Sequence, residues 1–199
     1  MKITHGLLAV LLVCCIAPPV PGQTEKITLY ADAAGTDCSV TETVPGIVSV
    51  YMFHVGSGVR RASKFTAPKP ACWTGAVWAG DVISPGLGVA IGNTQSDFTL
   101  YYNYAGVSCF QEPNPLPLYI GTINYFVVSP GPSCCEYPVL PASDSEVPGS
   151  VITVLCVEPP SLIAIGAGKV TINETEDCPC DPPVAVEETT WGRVKAFYR

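Results

Sequence analysis

The sequence predicts an all-β protein: an antiparallel two-sheet sandwich of about nine to ten strands, with one short helix at its C-terminus. Three observations carry this expectation. Helical periodicity is nearly absent, and short β-rich runs alternate with turn signals. Eighteen glycines and twenty prolines among 199 residues imply many turns. An apolar leader precedes eight of the ten cysteines, as in an exported chain that meets oxidant.

The leader has the parts of a secretory signal, assigned to residues 1–22. Lys2 and His5 form a short basic start, and residues 7–17 (LLAVLLVCCIA) form the apolar run. Eleven residues are too few to cross a bilayer, which takes about 20. Pro18, Pro19 and Pro21 then break any helix. Cleavage after Gly22 leaves Gln23 first. Retention of Cys14 or Cys15 as a lipid anchor is the alternative. No later apolar segment is long enough to span, so no membrane insertion is expected after the leader is removed.

The β-sandwich domain is assigned to residues 23–173. Its expected strands are 26–31, 47–55 (IVSVYMFHV), 59–67 after a Gly56-Ser57-Gly58 turn, 72–79 (CWTGAVWA), and a short one closing at Gly92-Asn93. From Phe98 to Tyr104 the alternation is strict. Phe98, Leu100, Tyr102 and Tyr104 share one face, and Thr99 and Tyr101 share the other. Pro113, Pro115 and Pro117 mark a stiff loop. Residues 118–128 (LYIGTINYFVV) are apolar on both faces and read as a central strand. Residues 135–140 and 151–157 read as a hairpin around the 143–149 turn. Residues 162–172 (LIAIGAGKVTI) read as one last strand, bent or bulged at Gly166 and Gly168.

The tail changes character. Residues 174–189 are acidic and carry Pro179, Pro182 and Pro183, an extended linker. Residues 190–199 read as a short amphipathic helix capped by Thr190, with Trp191, Val194, Phe197 and Tyr198 as its docking face.

The mature cysteines are Cys38, Cys72, Cys109, Cys134, Cys135, Cys156, Cys178 and Cys180. Eight cysteines allow 105 connectivities. The expected hairpin sets Cys135 opposite Cys156, and Cys134, on the other face, would then reach Cys109. Cys38 and Cys72 either join each other or clamp the tail at Cys178 or Cys180. Cys178-Pro179-Cys180 lacks the two-residue spacing and helix N-terminus of a thiol-exchange site, and its acidic surroundings raise thiol pKa values, so structural bridges are expected there.

Composition excludes several function classes. Only 14% of residues are charged, and after loss of Lys2 nine basic residues face seventeen acidic ones. Such a surface repels phosphate backbones and anionic membranes, so no nucleic-acid partner is expected. His54 is the only histidine after the leader. A zinc site would have to be built from thiols, and a histidine-dependent triad would have to use His54. No G-x-S-x-G elbow occurs. No catalytic residue, cofactor or metal site is therefore assigned. Acidic residues could in principle hydrolyse glycosides, but they cluster in the tail and in polar loops. The aromatic stretches around Trp73, Trp78, Tyr101, Tyr102 and Tyr104 read mainly as core. Asn173-Glu174-Thr175 is a chance glycosylation triplet.

The ending at 183–199 (PVAVEETTWGRVKAFYR) resembles a family of uncharacterised secreted bacterial proteins whose chains end in T-W-G-x-[IV]-K-x-[LF]-Y-[RK]. Stretches 27–38 (ITLYADAAGTDC), 48–55 (VSVYMFHV) and 91–95 (IGNTQ) are similar to that family too. The resemblance implies an exported β-sandwich and assigns no site residues. The strand order is also similar to immunoglobulin-like and cohesin-like modules, a likeness of fold only. The sequence thus points to a non-catalytic secreted or surface-associated module for an unknown protein or glycan. A carbohydrate-binding module and a secreted hydrolase using acidic residues are the alternatives.

Overall fold

The computed structural model describes residues 25–42, 44–56, 59–102, 110–111, 117–157 and 159–180. Thirteen strands account for most of them, and no helix occurs among the described residues. They are β1 (Lys26–Tyr30), β2 (Ser39–Val40), β3 (Gly46–Val55), β4 (Val59–Phe65), β5 (Ala76–Ile83), β6 (Gly88–Gly92) and β7 (Phe98–Tyr102). β8 (Phe110–Gln111), β9 (Leu118–Val127), β10 (Cys135–Pro138), β11 (Val151–Leu155), β12 (Ser161–Ala167) and β13 (Lys169–Ile172) complete the order.

The expected all-β sandwich is what forms. One ladder runs β5-β9-β3-β1-β12-β11-β4-β7-β6, with β8 on β4. It folds over at the two-residue β1–β12 ladder, where Lys26 lies beside Gly166 and Ile27 beside Ala167. A front layer (β5-β9-β3-β1) therefore lies on a back layer (β12-β11-β4-β7-β6). A second, three-stranded sheet (β10-β13-β2) packs its buried side chains into the same core. Most ladders are antiparallel as expected, but β1–β12 and β13–β2 run parallel.

Alternation decides which side chains meet. Val48, Val50 and Met52 of β3, and Ile123, Tyr125 and Val127 of β9, are buried. They belong to one cluster with Phe65 of β4 and Phe98, Leu100 and Tyr102 of β7. Phe65 and Phe98 rings lie 5.0 Å apart. At the other end Trp73 lies 4.6 Å from Tyr125, and Tyr125 and Tyr137 hydroxyls bond at 2.7 Å. Burial pushes the Tyr125 phenol up to about 12 and Tyr137 well above its ordinary value, so both stay protonated.

Several sequence expectations need correction. The strand expected at 72–79 starts at Ala76, because Cys72–Gly75 is a turn that drives Trp73 into the core. A Cβ on Gly75 would sit 1.9 Å from the Ser129 carbonyl oxygen, so the turn can come that close only with glycine. Residues 135–140 and 151–157 do not form a hairpin: β10 pairs with β13, and β11 lies between β12 and β4. The last strand divides at Gly168, where a Cβ would meet Thr28 Oγ1 at 2.1 Å, and its halves join different sheets.

The disulfides follow this topology. Cys135 bonds Cys72 rather than Cys156, and Cys134 bonds Cys178 rather than Cys109, with Cα separations of 5.7 and 5.8 Å. Cys38 bonds Cys180, so the tail-clamp alternative for Cys38 is the one realised. Cys156 is also disulfide-bonded. Cys109 lies outside the described residues, as do the leader, the 113–116 loop and the expected helix with Trp191, Val194, Phe197 and Tyr198. Residues 174–180, read as the start of a linker, are tied to the body through Cys178 and Cys180.

Candidate functional site

Two places in the fold gather chemistry that the sequence reading did not foresee. The first is a buried polar cluster between the layers. His54, at the inward end of β3, accepts or donates at both ring nitrogens: Nδ1 lies 3.1 Å from the Tyr102 hydroxyl and Nε2 lies 3.0 Å from Glu25 Oε1. Arg60 Nε donates to the same carboxylate oxygen at 2.6 Å. The Tyr102 hydroxyl donates to Ser63 Oγ at 3.0 Å, Ser63 reaches Thr153 Oγ1 at 3.0 Å, and Thr153 donates to the Ala62 carbonyl at 2.9 Å.

The set contains a serine, a histidine and a carboxylate in contact, the residue types of a hydrolytic triad. Its geometry does not serve catalysis. Ser63 Oγ is 3.5 Å from His54 Nδ1, and Ser63, His54, Arg60 and Thr153 are all essentially fully buried. No substrate reaches that hydroxyl. The cluster instead joins Glu25, just before β1, to β3, β4, β7 and β11 through hydrogen bonds in a low-dielectric interior. His54 lies next to the last residue of β3.

Its electrostatics make a pH prediction. Burial holds the His54 imidazole below its ordinary value, with the Arg60 charge acting in the same sense and the Glu25 bond opposing. Burial alone would raise the Glu25 carboxyl, but the bonds from His54 and Arg60 outweigh it and hold it low. Both groups therefore bind protons more tightly when unfolded. Stability is full above about pH 6.5, where unfolded histidine is neutral, and declines as pH falls below that. A second decline, from Glu25, sets in below the ordinary carboxylate value of 4.5. Urea denaturation across pH 7.5 to 5 reads the first step, and His54→Gln flattens it; a wild-type midpoint constant over that range contradicts the assignment.

The second place is the outer face of the front layer. Ile47, Phe126 and Val77 are direct cross-strand neighbours on β3, β9 and β5. They are 61%, 44% and 59% exposed. The same face carries Val82 at 57% and, beyond β9, Val128 at 55%. Between and beside them lie Ser49, Asn124, Tyr51 and Thr122, with Ser49 Oγ donating to Asn124 Oδ1 at 2.7 Å. None of the outward side chains on these three strands is charged. Asp81 of β5 sits in the inward register and accepts from Thr94 N and Oγ1. Contiguous exposed apolar surface of this kind is what protein interaction sites commonly present.

A polar groove of about 380 Å³ borders the face between β2 and β3, lined by Asp37, Ser39, Thr41, Ser49 and Tyr51. Tyr51 and Tyr119 rings lie 6.2 Å apart and tilted by 42°. No family model matches this chain, and no curated protein matches it. Solved structures of cohesins are similar in outline. The sixth cohesin of scaffoldin B from Acetivibrio cellulolyticus, solved in complex with a Cel5 dockerin mutant, is 10% identical at a TM-score of 0.42 over 76% of this chain and 98% of that one. The seventh ScaB type I cohesin from Pseudobacteroides cellulosolvens is 14% identical at 0.42 over 79% and 96%. A chain of the CaDoc0917–CaCohA2 complex is 11% identical at 0.44 over 75% and 99%. At these identities and scores the similarity assigns neither partner nor activity.

The residues singled out from sequence are placed as follows. Trp73 and Tyr102 are core, Tyr101 faces solvent on the back layer, and Trp78 lies on the edge strand with Nε1 on Asp81. Tyr104 lies outside the described residues. Cys178 and Cys180 are in separate bridges, and no cluster of metal-ligating side chains occurs among the described residues. Asn173 of the glycosylation triplet spends its amide on Glu42 and the Gly131 carbonyl. The front face had a signal in the sequence: residues 118–128 are apolar on both sides. β9 is indeed central within its layer, but only one of its faces is covered.

Proposed function

We propose that the protein is an exported, disulfide-braced, non-catalytic binding module that presents its front face to a protein partner. The observation that carries this reading is the exposed row Ile47–Phe126–Val77 on three strands whose outward side chains carry no charge. The leader and the bridges support an oxidising compartment. Aliphatic side chains dominate the patch, which favours a protein over a glycan. Sugars stack on open aromatic rings, and here only Phe126 is a strongly exposed ring on that face. Burial of Ser63 and His54 argues against hydrolysis at the one triad-like set.

A photo-crosslinking amino acid at Val77, in protein exported by its own cells, tests the reading. One discrete protein adduct is expected, and Phe126→Asp should abolish it. Because Phe126 is exposed, that substitution should change folding stability by no more than about 1 kcal/mol. Adducts matching those from a control probe at Ser145 would overturn the proposal. So would a glycan-array signal that Phe126→Asp removes. The hydroxyl-lined groove is the feature that favours this glycan reading.

A further inference from the structure

The two ends of the long ladder are built differently. β5, at one end, is interrupted by a bulge between Trp78 and Gly80, with Gly80 at φ +138°, and carries Asp81. These are devices that stop a sheet edge from pairing with another chain. β6, at the other end, has no bulge and no charged residue, and its left-handed glycine, Gly92 at φ +80°, falls only at the last position. Its sequence is Gly-Val-Ala-Ile-Gly, it is regular against β7 over all five residues, and among the described residues it pairs with no other strand. Val89 and Ile91 point outward and are 59% and 60% exposed.

We propose that two copies of this chain associate edge to edge through β6, antiparallel about Ala90. A two-fold interface requires a surface complementary to itself, and this strand is nearly symmetric about its centre. Antiparallel pairing at Ala90 sets Gly88 beside Gly92 and Val89 beside Ile91 of the other copy. An apolar row already crosses the back layer, Leu162–Val154–Ala62–Tyr101–Val89. In the dimer it runs on into the second copy's Ile91, which lies on the same outer face. Charge permits the approach. The full chain carries a net charge of −7, yet residues 82–96 hold no charged side chain. The next carboxylate along the chain, Asp97, lies five residues past the end of β6 and accepts from the Ser143 amide and hydroxyl at 2.8 and 2.9 Å. Two acidic molecules can therefore meet here without bringing like charges together.

Sedimentation velocity of the purified oxidised protein over a concentration series tests the proposal. The wild type is expected to dimerise, and Ile91→Lys and Val89→Lys should each weaken the dimer at least tenfold while leaving the melting temperature of the dilute monomer unchanged. Register is read by mixing Val89→Cys protein with Ile91→Cys protein, which should cross-link to each other far faster than either does to itself. A monomer at all concentrations overturns the proposal. So does a dimer indifferent to both lysine variants, or cross-linking at equal rates in every combination.

Discussion

Alanine in place of Glu25 is expected to destabilise the protein by about 3–5 kcal/mol, the cost of breaking a buried ion pair from one side. Glu25 Oε1 accepts from Arg60 Nε at 2.6 Å and from His54 Nε2 at 3.0 Å. Arg60 and His54 are both fully buried, whereas the carboxylate side chain keeps 17% exposure. Removing it takes away the carboxylate to which the buried Arg60 Nε is bonded. The ring nitrogen of His54 loses its acceptor as well. Replacing both ends should behave differently. Glu25→Ala with Arg60→Met removes the buried guanidinium along with the carboxylate and should recover a large part of the loss, since an apolar pair of similar volume often matches a buried salt bridge. Urea denaturation at pH 7.5 measures both. A single-variant loss below about 1 kcal/mol would show that solvent reaches Arg60 and that the cluster is not sealed.

Removal of the Cys72–Cys135 bridge, by alanine at both positions, is expected to cost about 2–5 kcal/mol. The bridge spans 63 residues, so it restricts a long loop in the unfolded chain. In the folded state it ties the turn before β5 to β10. That turn holds Trp73, which is fully buried against Tyr125 and donates its indole N–H to Glu42. Glu42 in turn accepts from Gly131 N at 2.7 Å and from Asn173, so one turn anchors three distant segments. Denaturation of the double variant beside the wild type, both unreduced, measures the effect. An unchanged midpoint would mean that noncovalent packing alone holds the turn.

Local patterns carried much of the architecture. The apolar runs at 47–55 and 118–128 became β3 and β9 within a residue of their expected limits, and the period-two stretch from Phe98 became β7 as far as Tyr102, where the described residues break off. What failed was pairing. The stretch 135–140 and the stretch 151–157 are sound strands, and a short polar turn lies between them, so a hairpin was the economical guess. Tertiary contacts override it, because β11 joins the back layer between β12 and β4 and buries Val151 and Thr153, while Tyr137 buries beside Trp73. The disulfide assignments built on that hairpin fell with it. The cluster around Glu25 was illegible for the same reason. Its members come from four strands and the residue just before β1, and nothing in the neighbourhood of His54 in sequence announces Glu25, Arg60 or Thr153.

The amino-acid order by itself determined the strand-rich character and the low charge, and it carried the expectations of an export signal and of cysteines serving as bridges. These are properties of composition and of periods only a few residues long. The three-dimensional arrangement alone decided which cysteines meet, which apolar face stays open to water, and that the one triad-like set is sealed. Those depend on contacts between residues far apart in the chain. Alternation tells which side chains share a face of a strand, but only the packing of one layer on another tells which face is covered.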